Sequence, residues 1–342
     1  MTIFLRSFAK INLGLYVGPL RADGFHELRT VYQTIDLHDR VSVRVTKGEG
    51  VEIRCADGRV PKDSTNTCWR IAERTMAALG AKGRVVVEIE KRLPIQGGVG
   101  GASGNAVATL LGIEKALKKQ LPGVERLKIA AVVGSDLPLF LLGGTVLGVE
   151  HGEAVYPLPD LPAIDCVVAF PEIGVSTPRA FADWDIKIAP KFAGKLTSGA
   201  PSARISEFGR TISAWLSGSI GSSSVHLTKT GSSRSKAVSG APARGGGRVG
   251  NPLLSLVQAG IANDFEEVVF PQHPELHEVK SALEQAGAKY ASLSGSGAAV
   301  YGLFGSRASA AKAVLALKKR GVKALAAKTL TRSQYWKKIW VR

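Results

Sequence analysis

Hydrophobic residues recur along the chain with two different periods, and each period predicts one kind of element. Runs of apolar and β-branched residues predict strands, whereas apolar positions three or four apart predict helices. The first half of the chain gives strands at 4–15, 31–37, 40–45, 51–55 and 85–89 and helices at 67–79, 105–119 and 127–133. The second half gives strands at 163–170, 291–294, 299–304 and 322–330 and helices at 275–286 and 308–319.

The order of these elements predicts the fold class. Strands and helices are mixed without a strict strand–helix–strand repeat, which favours an α+β fold over a doubly wound parallel sheet. A chain of 342 residues is long enough for two domains. We expect a boundary near residue 160, with an N-terminal domain over 1–160 and a C-terminal domain over 161–342.

The segment between the strand at 85–89 and the following helix is rich in glycine. It runs from Pro94 to Gly104 and is called the glycine loop. Glycine loses more backbone entropy on folding than any other residue, and a plain connection needs only one or two glycines. Bare amides before a helix N-terminus are suited to binding phosphate. Because the loop matches neither the P-loop nor the dinucleotide fingerprint, it indicates another family of phosphate-binding proteins.

The formal net charge of +17 is distributed unevenly along the chain. The segment 185–250 holds ten Lys or Arg against two acidic residues and is rich in Ser and Gly. We expect this segment to be an inserted, largely disordered loop, so the charge does not by itself indicate nucleic-acid binding. A second basic cluster, at 332–342, contains aromatic residues that could stack on bases or dock on the body of the protein.

Composition and cysteine usage narrow the class of protein further. No apolar run is long enough to span a bilayer, and the first residues lack the core of a signal peptide, so we expect a cytoplasmic protein with no membrane partner. Cys55, Cys68 and Cys166 form no closely spaced pair, which argues against a disulfide framework and against a zinc site. We expect three buried thiols.

Two segments carry charged residues suited to phosphoryl transfer. Lys10 and Asn12 lie on one face of an otherwise apolar strand, and a buried ammonium is costly unless it is paired. Asp136 precedes a thoroughly apolar segment and could accept the proton of a hydroxyl group. Ser135 or Asp136 could equally cap a helix that begins at Leu137, and the local sequence leaves both interpretations open.

Two further loops could bind a ligand. Phe25 and His26 follow a turn signal and could stack on and hydrogen-bond a base, although a histidine in a turn is usually solvated. The small residues at 294–297 could close over phosphates or a substrate, and a plain hairpin is an equally good interpretation of them.

Together these segments resemble the superfamily of galactokinase, homoserine kinase, mevalonate kinase and phosphomevalonate kinase, the GHMP kinases. Within it they are similar to the 4-diphosphocytidyl-2-C-methyl-D-erythritol kinases. The matching motifs are Ala-Lys-Ile-Asn-Leu at 9–13, Asp-Gly-Phe-His-Glu-Leu at 23–28, Gly-Ser-Asp-Leu-Pro-Leu-Phe-Leu at 134–141, Val-Ser-Thr at 175–177, Asn-Asp-Phe-Glu at 263–266 and Ser-Gly-Ser-Gly at 294–297. They cover most of the chain except the segment 185–250 and the C-terminal tail.

The resemblance implies a fold and an activity. The fold is the two-domain GHMP kinase fold, with an N-terminal domain like domain 2 of ribosomal protein S5 and a ferredoxin-like C-terminal domain. The activity is ATP-dependent phosphorylation of the 2-hydroxyl of 4-diphosphocytidyl-2-C-methyl-D-erythritol, with Mg²⁺, in the non-mevalonate route to isoprenoid precursors. We expect a monomer or weak homodimer that binds a small-molecule substrate and no nucleic acid.

The resemblance also implies roles for single residues. Asp136 is the base and Lys10 is its charged partner, because a nearby cation keeps a carboxylate ionised. The residues expected at the substrate are Phe25, His26 and Phe181 around the cytosine and Asn12 and Thr177 near the erythritol and diphosphate. The residues expected at ATP are Asn66, which could equally be a helix cap, and Pro94, Ile95, Gln96, Gly97, Gly98, Val99, Gly100, Gly101, Ala102, Ser103 and Gly104, with Ser103 also near Mg²⁺.

Several positions depart from the family pattern and leave alternatives open. Gln96 and Ala102 stand where glycine is usual, Gly104 where serine is usual, Phe25 where tyrosine is usual and Ser135 where alanine is usual. We therefore expect an altered phosphate affinity. Alternative functions are another GHMP-type kinase, which would lack the cytosine site, a basic nucleic-acid-binding module, and a nicotinamide-dependent oxidoreductase, which the absent fingerprint disfavours.

Overall fold

The structure is a computed structural model that describes residues 1–95, 97–187, 209–210 and 261–341. Most of the segment 185–250, for which the sequence predicts disorder, lies outside these residues, and so does Gln96. The described part contains two sheets with helices packed against each, which agrees with the predicted α+β class.

The first sheet has six strands. These are β1 (Thr2–Leu20), β2 (His26–Thr46), β3 (Val51–Cys55), β4 (Arg84–Glu90), β5 (Thr145–Val149) and β6 (Ala154–Pro157). The strand order is β3-β4-β2-β5-β6, and β1 pairs antiparallel with β2 along nearly its whole length. Among the strand pairs of this sheet that the structure describes, β3 and β4 alone run parallel. The crossover connection that parallel strands require contains a helix here.

The strand β2 corrects the sequence-based prediction of two strands at 31–37 and 40–45. It continues through His38 and Asp39, which pair with Phe8 and Ser7 of β1, and the register shift between Phe8 and Ala9 leaves Asp36 and Leu37 as two extra residues of β2 opposite that step. A bulge of this kind absorbs a local break in the alternation without ending the strand. The polar residues that signalled a gap in the sequence therefore lie within one continuous strand.

Four helices belong to the first half of the molecule. They are α1 (Thr67–Ala78), α2 (Gly101–Leu117), α3 (Gly123–Val133) and α4 (Leu137–Leu142). Every residue from Gly104 to Glu114 of α2 is buried, so this helix is the centre of the core rather than an amphipathic surface helix. Its Gly112 lies so close to Val43 that an added Cβ would come within 2.6 Å of that side chain.

The second sheet has four antiparallel strands in the order β10-β7-β9-β8. These are β7 (Asp165–Phe170), β8 (Tyr290–Leu293), β9 (Val300–Phe304) and β10 (Lys323–Lys328). The helices that the structure describes in this half are α5 (Thr177–Lys187), α6 (Glu266–Val269), α7 (Pro274–Gln285) and α8 (Arg307–Lys319). The sequence predicted the four strands, α7 and α8 but not α5 or α6.

A shared core joins the two halves. Ile11 and Leu13 of β1 pack in one buried cluster with Val168 and Tyr301 of the second sheet. The Tyr301 hydroxyl also donates a hydrogen bond to the Asn12 carbonyl oxygen at 2.7 Å. The long first strand therefore contacts both halves, and it carries polar residues to their junction.

The C-terminal residues form a last helix, α9 (Arg332–Ile339), which packs back on the first half. Tyr335 is 2% exposed, and its hydroxyl donates to the Phe140 carbonyl oxygen at 2.7 Å. The Trp336 indole donates to the Leu142 carbonyl oxygen at 3.0 Å. Of the two interpretations of this aromatic tail, the structure shows docking on the body. No helix in the described ranges is both long and apolar enough to cross a membrane.

Candidate active site

The glycine loop has a backbone that only glycine adopts readily at two of its positions. Gly98 and Gly100 have φ angles of +69° and +70°, in the left-handed region. A Cβ at Gly100 would lie 2.9 Å from the ring of Phe140 and 3.0 Å from the Lys10 side chain. Helix α2 then begins at Gly101, four residues before the predicted start, so the end of the loop forms the first helical turn.

The carbonyl oxygens of the loop face the rest of the molecule. The Val99 oxygen accepts from the Lys10 amide at 3.0 Å, the Gly98 oxygen from the Ser294 hydroxyl at 3.0 Å, and the Gly97 oxygen from the Ala299 amide at 3.2 Å. In a trans peptide the next N–H points opposite to the carbonyl. The amides of Gly98, Val99 and Gly100 therefore point away from these partners.

Two cavities lie on either side of this loop, and Gly98 and Gly100 line both of them. The glycine-loop cavity has a volume of about 360 Å³, and the aromatic cavity has a volume of about 570 Å³. The described residues expected at ATP all line the glycine-loop cavity except Gly104. The residues expected at the substrate line the aromatic cavity together with Lys10 and Asp136.

The charged pair of the aromatic cavity is assembled from two distant parts of the chain. Lys10 Nζ lies 3.2 Å from Asp136 Oδ2 and donates to Asn12 Oδ1 at 2.7 Å. The side chain of Lys10 is 4% exposed and that of Asp136 is 33% exposed, so the ammonium is buried behind a carboxylate that reaches the cavity. The carboxylate is thus held by a cation at one oxygen and remains accessible.

Tyr32 holds the other oxygen of that carboxylate. Its hydroxyl donates to Asp136 Oδ1 at 3.0 Å. Burial, together with the neighbouring negative charge, holds the pKa of Tyr32 well above its usual value, so the phenol stays protonated and acts as a donor. Asp136 lies just before helix α4 but makes no capping hydrogen bond with its side chain. Of the two interpretations left open by the sequence, the structure favours the paired carboxylate.

The other end of the aromatic cavity is formed by rings. His26 and Phe181 are stacked, with ring centroids 5.2 Å apart and planes at 13°. Phe25 is 58% exposed and lies against His151 with centroids 4.6 Å apart, rather than against Phe181. His26 Nδ1 donates to the Gly18 carbonyl oxygen at 2.9 Å, and its Nε2 faces the Asp185 carboxylate at 3.2 Å.

The loop at 294–297 closes the site from the second half of the molecule. The Ser296 hydroxyl lies 2.7 Å from the hydroxyl of Thr177, and Ser294 bonds to the glycine loop as described above. The side-chain amide of Asn263 donates to the carbonyl oxygens of Leu293 and Gly295, at 2.9 and 2.8 Å. This loop is therefore held against the glycine loop and is more than a plain hairpin.

Three of the residues expected at ATP lie at the start of a helix, and for one of them, Asn66, the sequence left open whether it is a helix cap. Asn66 caps α1, since its side-chain oxygen accepts from the Cys68 amide at 2.8 Å, and it also lines the glycine-loop cavity. Ser103 lines the cavity from the first turn of α2. A Cβ at Gly104 would lie 2.7 Å from the Ser7 hydroxyl and 2.9 Å from the Phe8 carbonyl oxygen, which explains a glycine where serine is usual.

Some residues of the site carry no signal in the sequence. Tyr32 is one of several apolar and aromatic residues on β2, and only its pairing with β1 brings it to Asp136. Lys91, His151 and Asp185 lie next to the cavities but belong to no motif. Among the described residues no group of three or more His, Cys, Asp or Glu side chains is placed to hold a metal ion.

Comparison with known proteins identifies the family. The model of the GHMP kinase N-terminal domain matches residues 66–144, and the model of the C-terminal domain matches residues 251–323. The chain is 36% identical to the 4-diphosphocytidyl-2-C-methyl-D-erythritol kinase of Solibacter usitatus over 89% of this chain and 81% of that protein. It is 32% identical to the kinase of the same name from Acaryochloris marina, over 90% of this chain and 88% of that protein.

A solved structure shares the same arrangement. The crystal structure of a 4-(cytidine 5'-diphospho)-2C-methyl-D-erythritol kinase superposes with a TM-score of 0.68 at 27% identity, over 96% of this chain and 99% of that one. The sequence relatives, the two domain models and this superposition agree with the motifs read from the sequence. The chain belongs to the family of 4-diphosphocytidyl-2-C-methyl-D-erythritol kinases, within the GHMP kinases.

Proposed function

We propose that this protein transfers the γ-phosphoryl group of ATP to the 2-hydroxyl of 4-diphosphocytidyl-2-C-methyl-D-erythritol, in the non-mevalonate route to isoprenoid precursors. The observation that carries the proposal is the Lys10–Asp136 ion pair at 3.2 Å, in a cavity that shares Gly98 and Gly100 with the glycine-loop cavity. An acceptor hydroxyl beside this pair lies next to the loop that would hold the phosphates. The names of the relatives give the substrate.

Asp136 is the group that accepts the proton of the hydroxyl. Its carboxylate is oriented by Lys10 at one oxygen and by Tyr32 at the other, so the side chain does not have to be fixed during the reaction. The ammonium of Lys10 also places a positive charge 3.2 Å from the carboxylate that receives the proton. A positioned base of this kind typically contributes about 10²–10⁴-fold to the rate.

The main-chain amides of Gly98, Val99 and Gly100 and the N-terminus of α2 bind the phosphates of ATP. Bare amides at a helix N-terminus form an anion site. The loop fits such a site because the carbonyl oxygens of Gly97, Gly98 and Val99 are bonded to the rest of the protein, so the amides that follow them point away from it. Asn66 lies beside the nucleoside. Mg²⁺, when bound, neutralises charge on the phosphate oxygens. Mg²⁺ usually takes few protein ligands, and Ser103 is a hydroxyl at the cavity wall that would hold it.

The rings of Phe25, His26 and Phe181 bind the cytosine by stacking, and His26 Nε2 donates a hydrogen bond to the base when the base takes the place of the Asp185 carboxylate. Asn12 and Thr177 also line the aromatic cavity, and we expect them to contact the erythritol and the diphosphate. Because the stacked pair of His26 and Phe181 suits a planar base, it favours a cytidylyl acceptor over the plain alcohols used by other GHMP kinases. Such a related kinase is the second candidate.

The experiment is a direct acceptor test. The purified protein is incubated with ATP, Mg²⁺ and one acceptor, and the formation of ADP and of the phosphorylated product is measured. The four acceptors are the cytidylyl substrate, its uridylyl analogue, homoserine and mevalonate. We expect turnover with the cytidylyl compound and at least about 10-fold less with the uridylyl analogue, because a hydrogen-bonded base edge discriminates strongly. Preferred turnover of a plain alcohol would favour the second candidate instead.

We infer further that the protein acts in the cytoplasm as a monomer or weak homodimer and does not bind nucleic acid. The expectation rests on a small-molecule substrate and on a positive charge that is concentrated in the segment 185–250. Light scattering gives the oligomeric state. Tight binding to DNA or RNA that falls steeply with salt would contradict the last point.

A further inference from the structure

A buried carboxylate outside both cavities connects to the glycine loop. Asp39 lies on β2 next to the bulge and is 0% exposed. It accepts four hydrogen bonds, from the amides of Arg92 and Leu93 at 2.7 and 2.8 Å and from the side chains of Lys91 and Asn105 at 2.6 and 3.0 Å. A buried carboxylate is costly unless donors surround it in this way, so its presence needs an explanation beyond packing.

The four donors come from the two ends of the glycine loop. Lys91, Arg92 and Leu93 follow β4 and lead directly into Pro94, whereas Asn105 lies on α2 directly after Gly104. The two oxygens of the carboxylate accept hydrogen bonds from different donors. Oδ1 accepts from the two backbone amides, and Oδ2 accepts from the Lys91 ammonium and the Asn105 amide. One side chain therefore joins the entry of the loop to its exit.

The same carboxylate fixes two groups at the wall of the glycine-loop cavity. Lys91 and Asn105 both line that cavity, and Lys91 Nζ lies 3.4 Å from the position of a Cβ at Gly101. A carboxylate only accepts hydrogen bonds, so the NH₂ group of Asn105 must face Asp39 and its oxygen must point the other way. That oxygen is buried and has no hydrogen-bond partner among the described residues.

We propose that Asp39 is a positioning residue for the nucleotide: it ties both ends of the glycine loop together and holds Lys91 and Asn105 at the cavity wall. This inference rests on the proposed function, because it takes the glycine-loop cavity as the ATP site. Asp39 touches neither substrate. Its loss changes the binding of ATP and leaves the binding of the alcohol acceptor, on the other side of the loop, nearly unchanged.

The test is the isosteric variant Asp39→Asn. An asparagine oxygen can still accept from the amides of Arg92 and Leu93, but its NH₂ group faces the donors of Lys91 and Asn105. We expect KM for ATP, and Kd for a non-hydrolysable ATP analogue measured by calorimetry, to rise about 10-fold to 100-fold, as the loss of buried charged hydrogen bonds implies. We expect KM for the acceptor to change less than about two-fold.

Two further variants separate positioning from stability. In the double variant Asp39→Asn with Asn105→Asp, the donor and acceptor exchange places, and we expect the affinity for ATP to recover by at least about five-fold relative to Asp39→Asn. Asn105→Ala removes one donor and leaves three, so it is expected to fold even where Asp39→Asn does not and to raise KM for ATP alone.

The matched control is Glu114→Gln. Glu114 is also buried and accepts from the Leu121 amide at 2.8 Å and from Arg126 Nε at 2.9 Å, but it lines neither cavity of the site. We expect it to lower Tm without changing KM for ATP. Unchanged ATP affinity in Asp39→Asn and Asn105→Ala, or parallel rises in both KM values, would overturn the role of Asp39 alone. Failure of the wild-type protein to bind the ATP analogue would overturn the proposed function as well.

Discussion

The two cavities beside the glycine loop are lined by different kinds of residues. The lining of the glycine-loop cavity includes four glycines and several other small residues, and its expected ligand contacts are amides. The aromatic cavity is lined by side chains with specific chemistry, among them the ion pair of Lys10 and Asp136 and the stack of His26 and Phe181. A surface of amides suits any chain of phosphates, whereas the choice of the acceptor depends on individual side chains.

This difference predicts how substitutions act. A changed side chain in the aromatic cavity should alter turnover or acceptor affinity while the ATP site continues to function. A change in the glycine loop should act through the backbone and affect folding and ATP affinity together. The following substitutions examine that separation, in order of decreasing expected effect.

Asp136→Asn is expected to have the largest effect. It keeps the size of the side chain but removes the base, so kcat should fall about 10²–10⁴-fold while Kd for the ATP analogue stays the same. Steady-state kinetics and calorimetry measure the two quantities. Ser135→Ala, at the adjacent position, is the control and should retain nearly full turnover. Near-normal turnover in Asp136→Asn would show that Asp136 is not the base.

Gly98→Ala is expected to act through the backbone. Its φ of +69° is unfavourable for alanine, and the added Cβ would meet the Ser294 carbonyl oxygen. The free energy of unfolding should fall by more than about 1 kcal/mol, and KM for ATP should rise with it. Gly58→Ala is the control, since nothing lies within 4 Å of its Cβ. Equal denaturation midpoints for the two variants would show that the loop does not require glycine at position 98.

Phe181→Leu is expected to weaken acceptor binding. Loss of a ring that stacks on a base costs about 1–3 kcal/mol, so KM for the cytidylyl substrate should rise about 5-fold to 150-fold with KM for ATP unchanged. Phe270→Leu is the matched control, because that ring contacts His277 outside both cavities. A rise in KM for ATP of the same size would show that the two cavities are not independent.

Substitution of Asn66 is expected to have the smallest effect. It distinguishes the role of this residue as a helix cap from a role as a contact for ATP. Asn66→Ala should lower the free energy of unfolding by about 1 kcal/mol, whereas Asn66→Ser keeps a capping oxygen and should restore most of it. Both variants remove the amide from the cavity wall, so both should raise KM for ATP. If Asn66→Ser leaves KM for ATP unchanged, the residue is a cap only.

The same difference explains what the sequence could predict. The glycine loop is visible in the sequence because an excess of glycine is itself the signal, and the structure adds the two positive φ angles that require it. The pairing of Lys10 with Asp136 joins positions 126 residues apart, so only the family resemblance could suggest it, and the distance of 3.2 Å is a result of the fold.

Other features had no local signal. Asp39 fell in the gap between the strands predicted at 31–37 and 40–45, but it pairs with Ser7 of β1 and is buried against the residues that lead from β4 into the glycine loop. The helix α4 was left open in the sequence, since its six residues are apolar on every side and show no helical period. Tyr32 and Lys91 likewise acquire their positions from strand pairing and loop closure rather than from spacing.

The docked C-terminal helix has a practical consequence. Helix α4 starts directly after Asp136, and its carbonyl oxygens at Phe140 and Leu142 are held by Tyr335 and Trp336, more than 190 residues further along the chain. Helix α9 thus supports the helix that follows Asp136, although none of its residues lines either cavity. Trimming this helix, or fusing a bulky tag beside it, should loosen α4 and displace the Asp136 side chain, so turnover would fall without any change in a residue that lines the cavities.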